Sequence, residues 1–345
     1  MKAIMIGFKS VFAVLLLLAI NICCMKQDDS NRLKAGVETW NKWREQNINI
    51  KPDLVGTNFV RATLQGANFD RADLRNANFN RARLAGAFFE RACLDSVWLD
   101  GADLQNADLR GTDLEGAILT HANLAVANLL GANLEGTNLE GATIEHAELD
   151  KADLRGADLR EARLRCSDLQ EAHLEETRFR GADLRNANLM GADLDSADLD
   201  SADLRGAHLR WANLAGTHLE GANLQGADLT GANLDSADLR GAQLDSTGLQ
   251  GADLAEADLA GANLRGASIR PCGAYLQGPD FSKVKSLYVT RLDTNILFEI
   301  RTNWPEKLAT IWDVTKKDWG IDDTLLGQIK QPDWQGWPEG NDHDK

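Results

Sequence analysis

GADLRNANLMGADLDSADLDSADL (residues 181–204) and GANLQGADLTGANLDSADLRGAQL (221–244) decide how this chain folds. Both are runs of five-residue units: a small residue, Asp or Asn, Leu, then two variable positions. Followed outward in steps of five, the large apolar column continues without insertion from Leu54 to Ile269, 44 consecutive units. A period of five fits neither a helix at about 3.6 residues per turn nor a strand alternating at 2, so the chain must change direction once per unit. The apolar column is Leu, with Phe at 59, 69, 79, 89 and 179 and Ile at 144 and 269. Two residues earlier stands the small column, mostly Ala, with Thr57, Thr112, Thr137, Ser167, Thr217 and Thr247. Residues two apart on an extended segment share a face, so both columns point inward and the Asp/Asn between them points out. The last two positions turn the corner. The second of them is often Gly, as at Gly66, Gly101, Gly111, Gly131 and Gly156, and glycine accepts the positive φ that a tight corner demands.

Four corners close a square, so twenty residues make one coil and the 44 units make about eleven coils. At about 4.8 Å per stacked layer the rod is roughly 50 Å long. The A-[D/N]-L-x-x units of 181–204 and 221–244 resemble the pentapeptide repeat family, and the repeats cover about two-thirds of the chain. The resemblance implies an all-β fold, the right-handed quadrilateral β-helix. Phe59 and Phe79 are twenty residues apart and stack on one side of the square; Phe69 and Phe89 stack on the opposite side. Paired Phe columns read as a filled lumen rather than a ligand slot.

The formal net charge of −15 disfavours nucleic acid and anionic membrane as nonspecific partners. It is unevenly spread: residues 51–90 carry six basic and four acidic side chains, 91–150 two and eleven, 151–190 eight and eight, 191–260 three and thirteen. Two acidic bands thus flank a neutral one. In the neutral band Arg165, Arg185 and Arg205 recur at twenty-residue spacing, with Asp183 and Asp203 two residues before the last two, a pattern expected to compensate charge on one face.

Residues 1–24 read as a signal peptide or a membrane or lipid anchor. Lys2 and Lys9 precede the apolar run Val11–Ile22, and Lys26, Asp28 and Asp29 follow it. The run is short for a membrane span. Cys23 and Cys24 at its end are candidate lipidation sites, although Ile20-Asn21-Ile22 stands where a lipobox has small residues. The expected location is the bacterial-type envelope, exported, periplasmic or membrane-anchored, with membrane contact only through this segment. With Met25 as the start, the protein would be cytoplasmic. Cys93 and Cys166 lie more than three coils apart, beyond disulfide reach, and no CxxC or Cys/His cluster suggests zinc.

Residues 31–50 read as an N-terminal capping helix and lead-in. NRLKAGVETWNKWREQ (31–46) spaces Leu33, Val37, Trp40 and Trp43 helically, and both tryptophans are expected to lie over the first coil, whose open edge would otherwise invite strand addition. The solenoid is assigned to 52–271. After Pro271, Cys272 and Gly273 break the register, residues 283–330 read as a partly helical cap and 331–345 as a mobile, Pro/Gly/Asp-rich tail. Trp304, Trp312 and Trp319 pack over the last coil or contact a partner.

No residues read as catalytic, cofactor-binding or metal-binding. His121, His146, His173, His208 and His218 sit in outward or corner columns with no second ligand at metal spacing. The abundant acidic pairs lack the cleft that acid–base work needs. Stacked Asp columns about 4.8 Å apart do not converge as a hard cation requires. The expected function is that of a non-catalytic exported scaffold, an acidic rod that binds an unknown protein partner through its flat faces or its Trp-rich tail. Resemblance adds an alternative, since some family members are DNA-shaped dimers that bind type II topoisomerases. Duplex DNA carries about 30 charges over ~50 Å, well above the −15 here.

Overall fold

The computed structural model describes residues 29–268. Within them every residue of the Asp/Asn column, from Asp53 to Gly248, forms a parallel bridge with the residue twenty further on. The register never slips, so four units make each coil. The four faces are named here in chain order after Leu54, Phe59, Leu64 and Phe69; faces 1 and 3 are opposed, as are 2 and 4.

The unit 132–136 shows why five residues suffice. Ala132 N–H closes a turn onto Leu129 C=O (2.9 Å), Asn133 N–H reaches down to Thr112 C=O (2.9 Å), and Leu134 and Gly136 N–H reach up to Asp153 and Arg155 C=O (2.6 and 2.9 Å). The remaining donor, Glu135 N–H, is taken by Asn133 Oδ1 at 3.1 Å. All five backbone donors are therefore partnered, and the preference for Asp or Asn acquires a cause beyond solubility: its side-chain oxygen accepts the one N–H the coils leave over. The same bond recurs, for example, from Ala125 to Asn123 (3.2 Å) and from Asp200 to Asp198 (3.1 Å).

Positive φ at the second corner position places each turn in the type II class. Glycine takes about half of these corners, but Arg61, His121, Val126, Cys166 and Trp211 hold φ of 54–61° as well. A side chain there costs about 1–2 kcal/mol. The stacked coils impose the conformation whatever the residue, which is why the corner column is less uniform than the inward columns.

The interior is filled. Phe69, Phe79 and Phe89 are at most 1% exposed. Phe59 stacks on Phe79 and Phe69 on Phe89, with centroids 4.7 and 5.1 Å apart, while Phe79 meets Phe89 edge-on at 88°. Buried hydroxyls in the small column donate to backbone carbonyls: Thr112 to Phe89, Thr137 to Leu134, Ser167 to Leu164, Thr177 to Leu154.

The lead-in differs from the continuous helix expected over 31–46. Residues 29–34 are helical, and an α-helix spans Val37–Gln46 (α1). Between them Gly36 takes φ 118°, and Ala35 and Gly36 N–H bond back to Asn31 and Leu33 C=O, ending the first helical turn before the second begins. The bend lets α1 lie on the first coil. Trp40 is fully buried against Phe69 (6.2 Å) and donates Nε1–H to Asn68 C=O at 2.7 Å. Trp43 lies one layer out, on Trp40 (5.2 Å) and beneath the Arg32 guanidinium (4.7 Å). Asn41 gives Nδ2–H to Gly66 C=O and accepts Asn68 N–H, as a preceding strand would. Buried Arg44 donates to the carbonyls of Ile50 and Asp70. On face 1, Asp53 N–H finds Asp29 Oδ2 at 3.2 Å.

Candidate interaction faces

With the inner columns committed to packing, anything the rod does chemically falls to its outward positions. Those hold three kinds of surface.

The first is a set of polar ladders. Asn Nδ2–H donates to the Asp carboxylate one coil below at Asn123–Asp103, Asn133–Asp113, Asn188–Asp168 and Asn213–Asp193, at 2.8–3.0 Å. Alternating Asn with Asp thus converts a column of like charges into a donor–acceptor ladder.

Arginine clamps form the second. Arg155 grips Asp153 on its own rung (2.6 Å) and Glu135 one coil below (3.0 Å). The same Asp-x-Arg arrangement, with Glu twenty residues before the Arg, recurs at Arg110, Arg160 and Arg240. On face 3, Arg185 bridges Asp183 and Asp203, and Arg205 holds Asp203, the compensation read from the sequence. Hydrogen bonds from the arginines hold the carboxyls of Asp73, Asp108, Asp153, Asp183 and Asp238 below the ordinary carboxylate range. By contrast, burial beneath α1 pushes Asp70 up. These pairs are exposed, and each adds little stability.

The third is apolar. Trp98 (50% exposed) and Ile118 (37%) take the place of Asp/Asn on consecutive rungs of face 2 and are bridged to each other. Phe88 does so alone on the opposite face, and Trp211 stands out at a corner over Gly231. Losing the side-chain acceptor strands an N–H, and the neighbouring coil supplies a substitute: Asp100 N–H goes to Asn80 Oδ1 and Glu90 N–H to Asp70 Oδ1, both at 2.9 Å. Sequence reading passed over these residues. The available signal was a large apolar side chain in a column otherwise reserved for Asp and Asn.

Cys93 (face 1) and Cys166 (a corner) are free thiols. Among the described residues no three His, Cys, Asp or Glu side chains are placed to hold a metal ion, and no helix is long and apolar enough to cross a membrane. The candidate residues Cys23, Cys24, Trp304, Trp312 and Trp319 lie outside the described residues.

The family model for pentapeptide repeats matches in eight copies, together spanning most of 53–270. Among solved structures the chain is similar to HetL, a pentapeptide repeat protein involved in heterocyst differentiation regulation from the cyanobacterium Nostoc sp. strain PCC 7120. That match is 38% identical over 61% of this chain and 88% of HetL, with a TM-score of 0.40. It is also similar to Rfr23, a pentapeptide repeat protein from the cyanobacterium Cyanothece 51142, at 42% identity over 27% of this chain and 63% of that one (TM-score 0.27). QnrB1, a plasmid-mediated fluoroquinolone resistance protein, is 21% identical over 64% and 92% (TM-score 0.29). No curated protein matches the chain.

Proposed function

Because the chain belongs to the pentapeptide repeat family, we propose that it is a non-catalytic scaffold whose acidic rod binds a protein partner. The observation that carries this reading is the division of labour within the unit. Leu, Phe and Ala are consumed by the core, the buried hydroxyls donate to backbone carbonyls, and sequence variety is confined to columns that face outward. A rod whose backbone donors are already partnered loses little conformational entropy on binding, so its faces suit recognition. The hand of the coil is right-handed, as the family implies.

The finer parts of the proposal rest on sequence. Residues 1–24 export or anchor the protein, with Cys23 or Cys24 as the lipid attachment point and the envelope as its location. Trp304, Trp312 and Trp319 provide a second contact surface. Two experiments test this. Fractionation of cells carrying a C-terminally tagged full chain should place it in the envelope; a purely cytoplasmic pool removes the export reading. Cross-linking of the full chain in those cells should recover a specific protein through the rod, and recovery of none removes the scaffold reading.

The acidic outer columns also admit a DNA-mimicking binder of a type II topoisomerase. Inhibition of gyrase supercoiling by the purified chain would favour that reading over an envelope partner.

A further inference from the structure

We infer that face 2 around Trp98 and Ile118 is a docking surface for a basic protein segment that presents apolar side chains between Lys or Arg residues. The inference rests on the scaffold reading above and names one face and one chemistry of partner.

Three observations converge. First, Trp98 and Ile118 are large apolar side chains exposed on adjacent coils and directly bridged, so they form one continuous strip on a flat face. Second, the strip is not required by the fold. The Asp/Asn column elsewhere accepts the leftover backbone N–H, and at Trp98 that task passes to Asn80 on the coil below. An Asn at either position would serve the coil at least as well. Third, the surroundings are predominantly acidic, although Asp108, Glu135 and Glu140 are held by Arg110, Arg155 and Arg160. Residues 91–150 carry eleven acidic and two basic side chains. Asp95 and Glu115 stand three residues before Trp98 and Ile118, just around the corner; Asp95 is within electrostatic reach of Arg75, one coil below, which is itself bonded to Asp73. Asp100, two residues after Trp98, accepts the Thr120 hydroxyl at 2.7 Å and lies 3.8 Å from the His121 imidazole. An apolar centre with an acidic rim is complementary to an apolar tip with a basic rim.

The same charge argues against the other occupants. A second copy laid face to face would bring a net −9 over 91–150 against an equal charge, and nucleic acid would add phosphates to it.

The test uses the full-length chain and a fluorescein-labelled hexapeptide with two central leucines flanked on each side by Lys and Arg. Anisotropy should report binding that weakens with salt. The double variant Trp98→Asn/Ile118→Asn, which restores the family residue at both rungs, should lose at least about tenfold in affinity with its melting temperature unchanged or raised. Asp95→Asn/Glu115→Asn should weaken binding and flatten the salt dependence. Phe88→Asn on the opposite face should change nothing. Equal binding by the double variant, or equal binding of a peptide with serines for leucines, overturns the inference. So does a dimer in sedimentation that the double variant abolishes, or tighter binding of a DNA duplex. Cross-linking in cells separates this inference from its premise: partners retained by the double variant sink the inference and leave the scaffold reading, whereas no partner with either protein sinks both.

Discussion

Residues 91–150 and 151–190 are built on one core and wear different surfaces. Leu119 and Leu159, one above the other but one on the same face, are equally buried, and the bridges run through both stretches without interruption. Outside, the first stretch carries eleven acidic and two basic side chains and exposes Trp98 and Ile118; the second carries eight of each and ties them together through Arg155, Arg160 and Arg185. The comparison teaches that one pattern of inward columns carries very different surfaces. The outward columns can be charged, neutralised or made apolar without altering the coil.

The strongest challenge to that view is a cavity placed in each stretch. Leu119→Ala and Leu159→Ala should each cost about 2–5 kcal/mol, and by similar amounts, in chemical denaturation. A clearly larger loss at one of them would mean that surface charge contributes to the local stability of the coil. A smaller effect comes from the corners. Val126 holds φ 61° with a β-branched side chain, so Val126→Gly should gain about 1 kcal/mol, read as a raised melting temperature. No gain would show that its side chain makes contacts worth the strain.

Salt should divide the two stretches. At about 1 M salt the Debye length falls to about 3 Å. Hydrogen exchange should then slow in 91–150, where like charges repel, and quicken slightly in 151–190, where pairs are screened. Uniform behaviour along the rod would erase the distinction.

The smallest effect is a pH dependence. The Arg155 hydrogen bond depresses the Asp153 carboxyl in the folded protein. The stability it lends is therefore complete above the ordinary carboxylate pKa of about 3.9 and is lost as pH falls through the lower folded value. Arg155→Gln should melt about 1–2 °C below the parent at pH 6, and the gap should close under strong acid. A gap that persists there would assign Arg155 a packing role instead.

Much of this was legible in advance. The step of five from Leu54 named the inward columns, the square and the stacking of Phe59 on Phe79, because a repeated contact leaves a repeated residue. The twenty-residue recurrence of Arg185 and Arg205 likewise foretold their pairing with Asp183 and Asp203. The Trp98–Ile118 strip was present in the same columns and went unread, since a periodic reading attends to the rule and an interaction site is written in its exceptions.

What the sequence determined by itself is the rod: strictly periodic burial in Leu and Ala columns admits one way of closing the backbone hydrogen bonds. A covering helix at its start was legible too; tertiary structure alone decided the contacts by which that helix caps it. Asn41, Arg44 and Trp40 satisfy groups on Gly66, Asn68 and Asp70 across 25–28 residues, and Gly36 bends the lead-in to let them. Such contacts occur once, between segments with no shared period, so no column of the sequence repeats them. They become visible only when the open edge of the first coil and the helix that covers it are placed together.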